Sequence, residues 1–457
     1  MISPLLRILC LALGIIGVTS PVARAATPAE PPPWKAGAAA IDITPEGPVW
    51  LAGYGARTRP SEGVAQKIFA KALALEDAAG ATVVLVTLDL IGVPRPVRAA
   101  VEKAVAAQHG LPPASILLNA SHTHSGPSPY AYSVPQPAYA AKGEEYGRFL
   151  EGKITDVVGT ALAQRRPARL SYTHARAGFA MNRRLPAGKE IRNAANPEGP
   201  VDHDVPVLRV TGGDGKLLAV LFGYACHNTV TGFYTINGDY AGYAQAFLEA
   251  DHPGVVALFM AGAGGDQNPY PRHTSLEQSA QHGRTLANAV EAALGVTVQR
   301  SLKGPLRSAY GLADLPFAHV TRAELEKRAQ VNRKVEKAQA EELLRKMGTD
   351  GALPTSYPCP VQTIAIGPEL TLIAIAGEPT VEYSLRLKRE LATSRRAVWV
   401  AGYSNESLGY LGSRKVILEG GYEGYSANLG RHPAPWAPEV EDRVIALAIE
   451  QFRSVNP

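Results

Sequence analysis

A series of short apolar runs constrains the fold of this chain more than any other feature. The runs are bounded by turn residues and are short for helices, which is typical of strands buried on both faces. Helical patterns at residues 96–107 and 241–250 lie between some of them. This order predicts one large α/β or α+β domain, in which mixed β-sheets are flanked by helices. The predicted strands cover residues 82–88, 205–210, 217–223, 255–260, 370–375 and 397–400.

His122 and His124 follow a further apolar run at residues 116–118, which also predicts a buried strand. In an extended backbone residues i and i+2 project to the same side, so we expect both rings to face one cavity. Imidazole is the commonest zinc ligand, and the pair is therefore a candidate half of a metal site. The alternative is two turn histidines bonded to nearby main chain, and a short motif alone does not exclude it.

The N-terminus has the pattern of a cleaved secretory signal. Arg7 supplies the positive region, residues 8–18 are apolar, and Ala-Arg-Ala at 23–25 resembles a cleavage site. The apolar run is short for a membrane span. We therefore expect a signal peptide at residues 1–25, a flexible Pro/Ala-rich leader at 26–36, and an exported protein, periplasmic or secreted, without a stable membrane anchor.

Charge and cysteine content argue against two other classes of protein. The formal net charge is +5 over 457 residues and no Lys/Arg cluster stands out, which argues against a nucleic-acid partner. Cys226 and Cys359 remain after the predicted cleavage and could pair in an oxidising compartment. One bridge is not a disulfide framework, so we expect a large apolar core to stabilise the fold.

A charged segment at residues 321–347 predicts one long helix. Thr321 and Glu324 form a capping-box pattern at its start, and the rest is dense in Lys, Arg and Glu. We interpret it as a solvated surface helix, with a partner-binding role as the alternative.

Polar residues follow three of the predicted strands. His227 comes after the run at 217–223, Glu378 after the run at 370–375, and Tyr410 after the run at 397–400. Each alone could be a buried histidine, an acid at a helix N-terminus or a packing aromatic. Their shared position favours a site, because ligands of α/β proteins collect at the carboxyl ends of strands.

These residues and their neighbours resemble the catalytic domain of the neutral/alkaline non-lysosomal ceramidases, zinc amidases that hydrolyse the N-acyl bond of ceramide. The resemblance extends from about residue 38 to residue 427, and we predict a hydrolase domain at 37–457. Its most specific segment is His-Thr-His-Ser-Gly-Pro, which begins at His122. The other shared segments include Gly53–Gly55, Val86–Asp89, Asn182-Arg183, His227-Asn228, Gly238–Tyr243, Gly265-Asp266, Gly377-Glu378, Ser404-Asn405 and Tyr422–Gly424.

The resemblance implies one zinc ion per chain, held by His122, His227, Glu378 and Tyr410. Two imidazoles, a carboxylate and a phenol suit a catalytic zinc that keeps a position for water. His124 would then lie beside the metal and stabilise the oxyanion, with a role in orienting the zinc ligands as the alternative. Tyr410 is counted among the catalytic residues as well as among the ligands.

Two features depart from the family pattern. Family ceramidases carry a serine in the segment Gly-Asp/Asn-x-Ser-Pro, where this chain has Asn268. Asparagine is no nucleophile but hydrogen-bonds well, so an acyl-serine mechanism is disfavoured and Asn268 remains a candidate catalytic residue. Family ceramidases also continue into a β-rich domain, whereas we expect only the catalytic domain here, ending soon after a helix at 440–452.

We therefore expect a zinc-dependent hydrolase that cleaves a linear amide by attack of zinc-bound water. The substrate is a small N-acyl or lipid-like molecule, smaller or more polar than ceramide, because Trp and Phe are few and the segments at 127–132 and 269–271 combine tyrosine with proline. A zinc-dependent esterase or other carbonyl hydrolase is the first alternative. A non-catalytic binding protein is the second, although it would have no reason to retain four polar ligands. The sequence leaves the oligomeric state open.

Overall fold

A computed structural model describes residues 33–131, 137–332, 334–350, 353–428 and 432–457. These residues fall in one unit, Pro32–Pro457. The predicted signal peptide at 1–25 and the leader up to residue 32 lie outside the described residues, as does Tyr132. None of the helices in the described ranges contains an apolar stretch of the length that a bilayer crossing requires.

The strands vary in length from two to eleven residues. In chain order they are β1 Trp34–Asp42, β2 Gly63–Val64, β3 Phe69–Asp77, β4 Thr82–Leu88, β5 Ile116–Ala120, β6 Arg166–Arg176, β7 Ala180–Ala187, β8 Glu190–Asn196, β9 Asp204–Gly212, β10 Leu217–Tyr224, β11 Thr235–Ile236, β12 Val256–Ala261, β13 Gln267–Pro269, β14 Arg300–Leu302, β15 Leu306–Pro316, β16 Ser356–Ile366, β17 Leu370–Ile375, β18 Glu378–Pro379, β19 Ala397–Ala401 and β20 Tyr410–Leu411.

The helices lie mostly between strands. In chain order they are α1 Arg95–His109, α2 Pro137–Ala163, α3 Asp239–Asp251, α4 Leu276–Leu294, α5 Arg322–Arg328, α6 Lys334–Asp350, α7 Val381–Leu391, α8 Arg414–Glu419 and α9 Val440–Val455. Short 3₁₀ turns occur at Pro113–Ser115 and Pro129–Ala131, and a π-helical turn at Tyr422–Ser426.

Two mixed sheets form the core of the fold. The larger has the order β12-β10-β9-β6-β1-β3-β4-β5, with β14 also paired to β6, and the smaller has the order β15-β16-β17-β19. Most neighbours are antiparallel, but β4 and β5, β10 and β12, and β17 and β19 are parallel. A helix connects each parallel pair, namely α1, α3 and α7. The predicted fold of mixed sheets flanked by helices is therefore confirmed.

The layers run helix, sheet, sheet, helix, and β4 illustrates why its sequence is continuously apolar. Val84 and Val86 pack in the cluster that α1 and α2 cover, whereas Val83 and Leu85 pack between the two sheets. Successive strand residues point to opposite faces, and here both faces are buried. The cluster between the sheets also includes Trp399 of the smaller sheet. The outer face of the smaller sheet is covered by α7 and α9.

Two expectations about element boundaries differ from the structure. The predicted leader at 26–36 overlaps β1, because Trp34 is only 1% exposed and its Nε1 donates to Leu302 O at 2.7 Å. The predicted helix at 321–347 is two helices, α5 and α6, separated by a turn that includes Val331 and Asn332, both weak helix formers. The predicted capping box of α5 is present.

The two cysteines do not pair. Cys226 lies in the cluster beneath α3 and α4, and Cys359 lies in the cluster beneath α9. Both are free and buried, so the bridge considered from the sequence is not formed.

Candidate metal site

The candidate site lies where strands of both sheets end. His122 follows β5 by two residues, and His227 follows β10 by three. A parallel bridge between Thr123 and Asn228 joins these two segments. The other two candidate ligands begin the short strands β18 and β20, which pair in parallel with Glu378 opposite Tyr410. The topology thus brings together all four ligands that the family resemblance implied.

All four of these side chains lie close together: both imidazoles approach one carboxylate oxygen, and the phenol approaches one of the imidazoles. Glu378 Oε2 lies 3.2 Å from His122 Nε2 and 3.4 Å from His227 Nε2. His227 Nε2 lies 3.1 Å from the Tyr410 hydroxyl oxygen. Four ligand atoms bound to zinc at about 2.0–2.2 Å in a tetrahedron are roughly 3.3–3.6 Å apart. The observed separations are close to that spacing.

Main-chain carbonyls determine which imidazole nitrogen is available. His122 Nδ1 lies 2.6 Å from Ile91 O, and His227 Nδ1 lies 2.8 Å from Gly264 O. A carbonyl only accepts hydrogen bonds, so each Nδ1 carries the proton and each Nε2 presents a lone pair to Glu378. Glu378 Oε2 is buried without a hydrogen-bond donor. An unpaired carboxylate oxygen beside two imidazole nitrogens is an environment that a bound cation satisfies, and the residues fit a metal ion.

The charge states also fit a metal ion. Burial, followed by Arg183, lowers the pKa of His227 to about 3 and keeps its ring neutral. Burial alone would raise the pKa of Glu378, but His122 and His227 outweigh it and hold that pKa well below its usual value. Neutral imidazoles and an ionised carboxylate are the forms that bind metal.

His124 belongs to the same cluster. Its Nε2 lies 3.1 Å from His122 Nε2, and its Nδ1 is buried without a partner. The ligand atoms of His122, His124 and His227 all lie within 4.8 Å of one another. Burial, then the neighbouring His122 and His227, lowers the pKa of His124 well below its usual value. His124 is therefore a neutral group that can donate one hydrogen bond beside the metal site.

The expected reason for the closeness of His122 and His124 was wrong. β5 ends at Ala120, and His122 has a left-handed backbone with φ of 65° rather than an extended one. The two rings still meet, but a turn brings them together instead of strand alternation. Gly53 allows this arrangement, because a Cβ there would lie 2.4 Å from the His124 ring.

A buried arginine, for which the sequence suggested no role, supports Tyr410. Arg183 Nη2 donates to the Tyr410 hydroxyl at 2.9 Å and to Gly265 O at 2.8 Å, while its Nε donates to Glu423 at 2.7 Å. Burial raises the pKa of Tyr410 well above its usual value, with Arg183 opposing that shift. The signal available in the sequence was the charge of Arg183 within a segment shared with the family.

Asn268 lies behind this arginine in the hydrogen-bond network. It is 1% exposed, its Oδ1 accepts from Arg183 Nη1 at 3.1 Å, and its Nδ2 has no protein partner. Asn268 is not among the residues that line the cavity at the site. Its observed contact is with Arg183, and the catalytic role expected for Asn268 stays a prediction.

A cavity of about 440 Å³ opens over the cluster. Its size is within the range of about 300–1,000 Å³ that is usual for small-molecule sites. His122, His124, Glu378 and Tyr410 all face it. Its other walls include Trp50, Leu51, Tyr54, Arg57, Ile91, Ser128, Tyr403, Glu406, Ser407 and Tyr422.

A family model described as "Neutral/alkaline non-lysosomal ceramidase, N-terminal" matches residues 34–282. The chain belongs to this family. The match includes His122, His124 and His227, while Glu378 and Tyr410 lie beyond it. Membership confirms the predicted resemblance and places the chain in a family of amide-bond hydrolases.

Curated relatives and solved structures are similar to this ceramidase-family chain. The neutral ceramidase of Pseudomonas aeruginosa is 26% identical over 248 residues, 52% of this chain and 37% of that protein. The neutral ceramidase of Mycobacterium tuberculosis is 36% identical over 102 residues, 21% of this chain and 15% of that protein. The matches therefore span well under half of either relative.

The fold extends the similarity to most of the chain. The crystal structure of the Pseudomonas aeruginosa neutral ceramidase superposes with a TM-score of 0.75 at 22% identity, covering 93% of this chain and 75% of that one. A structure described as "Ceramidase complexed with C2" gives a TM-score of 0.73 at 21% identity, covering 93% of this chain and 76% of that one. The ceramidase fold is thus present across both sheets.

Proposed function

We propose that this chain is an exported zinc-dependent amidohydrolase that cleaves the N-acyl bond of a linear amide, smaller or more polar than ceramide. The observation that carries the proposal is the convergence of two imidazoles, an ionised carboxylate and a phenol beside one cavity in a ceramidase-family chain. His122, His227, Glu378 and Tyr410 would hold the ion. When bound, zinc supplies polarisation of a carbonyl and a water of lowered pKa.

The chain's own groups orient and support this site. The carbonyls of Ile91 and Gly264 fix the two imidazole rings, so that their Nε2 atoms face Glu378. Arg183 holds the Tyr410 hydroxyl from the other side. His124 Nε2 lies beside His122. From there it would donate a hydrogen bond to the substrate oxygen that becomes negative during acyl transfer.

His124→Ala is expected to lower turnover by about 10²–10³-fold, because one oxyanion donor is lost. Zinc content should stay at the wild-type value, since His124 is not among the four proposed ligands. Turnover on a chromogenic amide and metal content of the same preparation measure both effects. His109→Ala, at an exposed position at the end of α1, is the matched control. Loss of zinc in His124→Ala would instead make His124 a residue that holds the metal or orients its ligands.

The properties of the cavity support a small polar substrate. Its volume of about 440 Å³ is in the lower half of the usual range, and Arg57, Glu406 and Ser128 contribute polar groups to its walls. Asn268 stands at the position of the family's serine and hydrogen-bonds Arg183, so no hydroxyl nucleophile is supplied there.

The proposed function is tested with short- and long-chain N-acyl and O-acyl chromogenic substrates and a long-chain ceramide, each with and without a chelator. We expect chelator-sensitive amide hydrolysis that is faster on the short polar N-acyl compounds than on ceramide. A ceramide advantage of about 100-fold, equivalent to about 2.7 kcal/mol, would overturn the proposed substrate class.

The other outcomes separate the rival functions. Preference for O-acyl substrates identifies an esterase, and hydrolysis that resists the chelator removes the role of zinc. Absence of hydrolysis in protein that has zinc bound identifies a binding protein.

A further inference from the structure

A buried arginine without a carboxylate partner lies in the wall of the cavity. Arg57 is 6% exposed, and its Nη1 donates to the main-chain oxygens of His124, at 2.8 Å, and Ala52. Its Nη2 donates to Phe233 O at 3.0 Å. Three carbonyls therefore accept from the guanidinium, while Nε is buried without an acceptor. A guanidinium has five donors, so hydrogen-bonding capacity remains.

The other arginines that are buried within the described ranges have acidic partners. Arg98 pairs with Glu102 at 2.6 Å, and Arg183 and Arg184 share Glu423. Arg57 has no ion pair in the same ranges. A buried charge without a counter-ion is costly, so a site of this kind favours an anion when one is bound.

A second guanidinium, that of Arg272, contacts a tyrosine of this wall. Arg57 lies over the Tyr54 ring at 4.8 Å, and Arg272 interacts with the hydroxyl of the same tyrosine. Arg272 Nε is also buried without a partner. Burial lowers the pKa of Arg57 to about 10, with only the phenols of Tyr54 and Tyr234 opposing, and it remains charged near neutral pH.

Arg57 is connected to the candidate metal site through one residue, His124. Arg57 binds the main-chain oxygen of His124, and the ring of that histidine lies 3.1 Å from His122. In an N-acyl amino acid the carboxylate is separated from the amide nitrogen by a single carbon atom. Such a substrate therefore carries its carboxylate close to its scissile amide, and Arg57 is linked to the cluster through His124.

We propose that Arg57 selects an N-acyl substrate that carries a carboxylate on the amine side of the scissile amide, as in an N-acyl amino acid. The planar guanidinium matches a carboxylate in shape and charge. This inference rests on the proposed amide hydrolysis and deepens it. The competing role is structural, with Arg57 only holding the segments that carry Ala52, His124 and Phe233.

The test compares N-octanoylglycine with N-octanoylglycinamide, which share the acyl chain and scissile bond and differ in charge. The zinc-loaded full chain is expected to show kcat/KM about 10- to 100-fold higher for the carboxylate, as expected for a charge-assisted contact. Arg57→Gln should bring that ratio close to one, and Arg57→Lys should keep part of it. Arg59→Gln, at an exposed arginine paired with Glu62, should keep the wild-type ratio.

Two results would overturn the inference. One is a wild-type enzyme that does not prefer the carboxylate. The other is an Arg57→Gln variant that loses activity equally on both compounds, as a purely structural role requires.

Failure of the proposed function gives a different result. If neither compound is hydrolysed, calorimetric titration of both into zinc-loaded wild type and Arg57→Gln still measures anion selection. Wild type should bind N-octanoylglycine at least about 10-fold more tightly than N-octanoylglycinamide. Arg57→Gln should show no such preference. Equal affinities of the wild type for both compounds would contradict the role of Arg57.

Discussion

His122→Ala and His227→Ala are each expected to lose zinc, from about one ion per chain to a small fraction of that, together with hydrolytic activity. Each substitution removes one imidazole and leaves Glu378 facing a single Nε2. The two imidazoles are the only nitrogen ligands of the proposed set, so loss of either one weakens zinc binding strongly. Metal analysis after dialysis, with turnover on the same samples, measures the result.

The control for this prediction is His109→Ala, which changes an exposed histidine at the end of α1. It should retain zinc and activity. Circular dichroism of all three variants separates loss of the metal from loss of the fold. Full zinc retention in both His122→Ala and His227→Ala would contradict the ligand assignment, whatever happens to activity.

Glu423→Gln is expected to destabilise the fold by about 3–5 kcal/mol, because it leaves two buried arginines without their shared carboxylate. Glu423 has a side chain only 1% exposed, and it bonds Arg183 at 2.7 Å and Arg184 at 2.9 Å. Burial opposes the charge of Arg183, but Tyr410 and Glu423 hold the pKa of the guanidinium well above its usual value. A domain of this size should lose roughly 3–6 °C in Tm.

Glu419→Gln is the matched control in the same network. Glu419 also bonds Arg184, at 3.2 Å, but its side chain is 36% exposed, so loss of its charge should cost at most about 1 kcal/mol. Chemical denaturation and thermal melting of both variants compare the two effects. Equal losses of stability in Glu423→Gln and Glu419→Gln would contradict the prediction that Glu423 compensates the charges of Arg183 and Arg184.

The strands could be predicted from the sequence because two-sided burial leaves a local pattern. β4 and β17 have the bounds expected from the apolar runs at 82–88 and 370–375. Both faces of these strands are covered, so each position must be apolar or small and no tertiary information is needed. Boundaries that depend on packing were less accurate: Trp34 belongs to β1 because it packs between the sheets, although three prolines precede it.

His122, His227, Glu378 and Tyr410 could be singled out from the sequence by their position after strands and by the family motifs. Their distances could not be predicted, because His227 and Tyr410 are 183 positions apart yet lie 3.1 Å from each other. Parallel pairs with helical connections direct strand ends from both sheets to one edge, and that is a property of the topology.

Other features of the site were decided only by the tertiary structure. The backbone of His122 is left-handed rather than extended, and its tertiary surroundings decide this. The tertiary structure also decides whether a buried arginine has a carboxylate partner. The sequence does not distinguish the surroundings of Arg183 and Arg57, but Arg183 faces Glu423 whereas the hydrogen bonds of Arg57 go to main-chain carbonyls. The sequence by itself determined which residue types are available for the site and which segments form buried strands. Packing determined which charges are compensated, because compensation depends on neighbours that are distant along the chain.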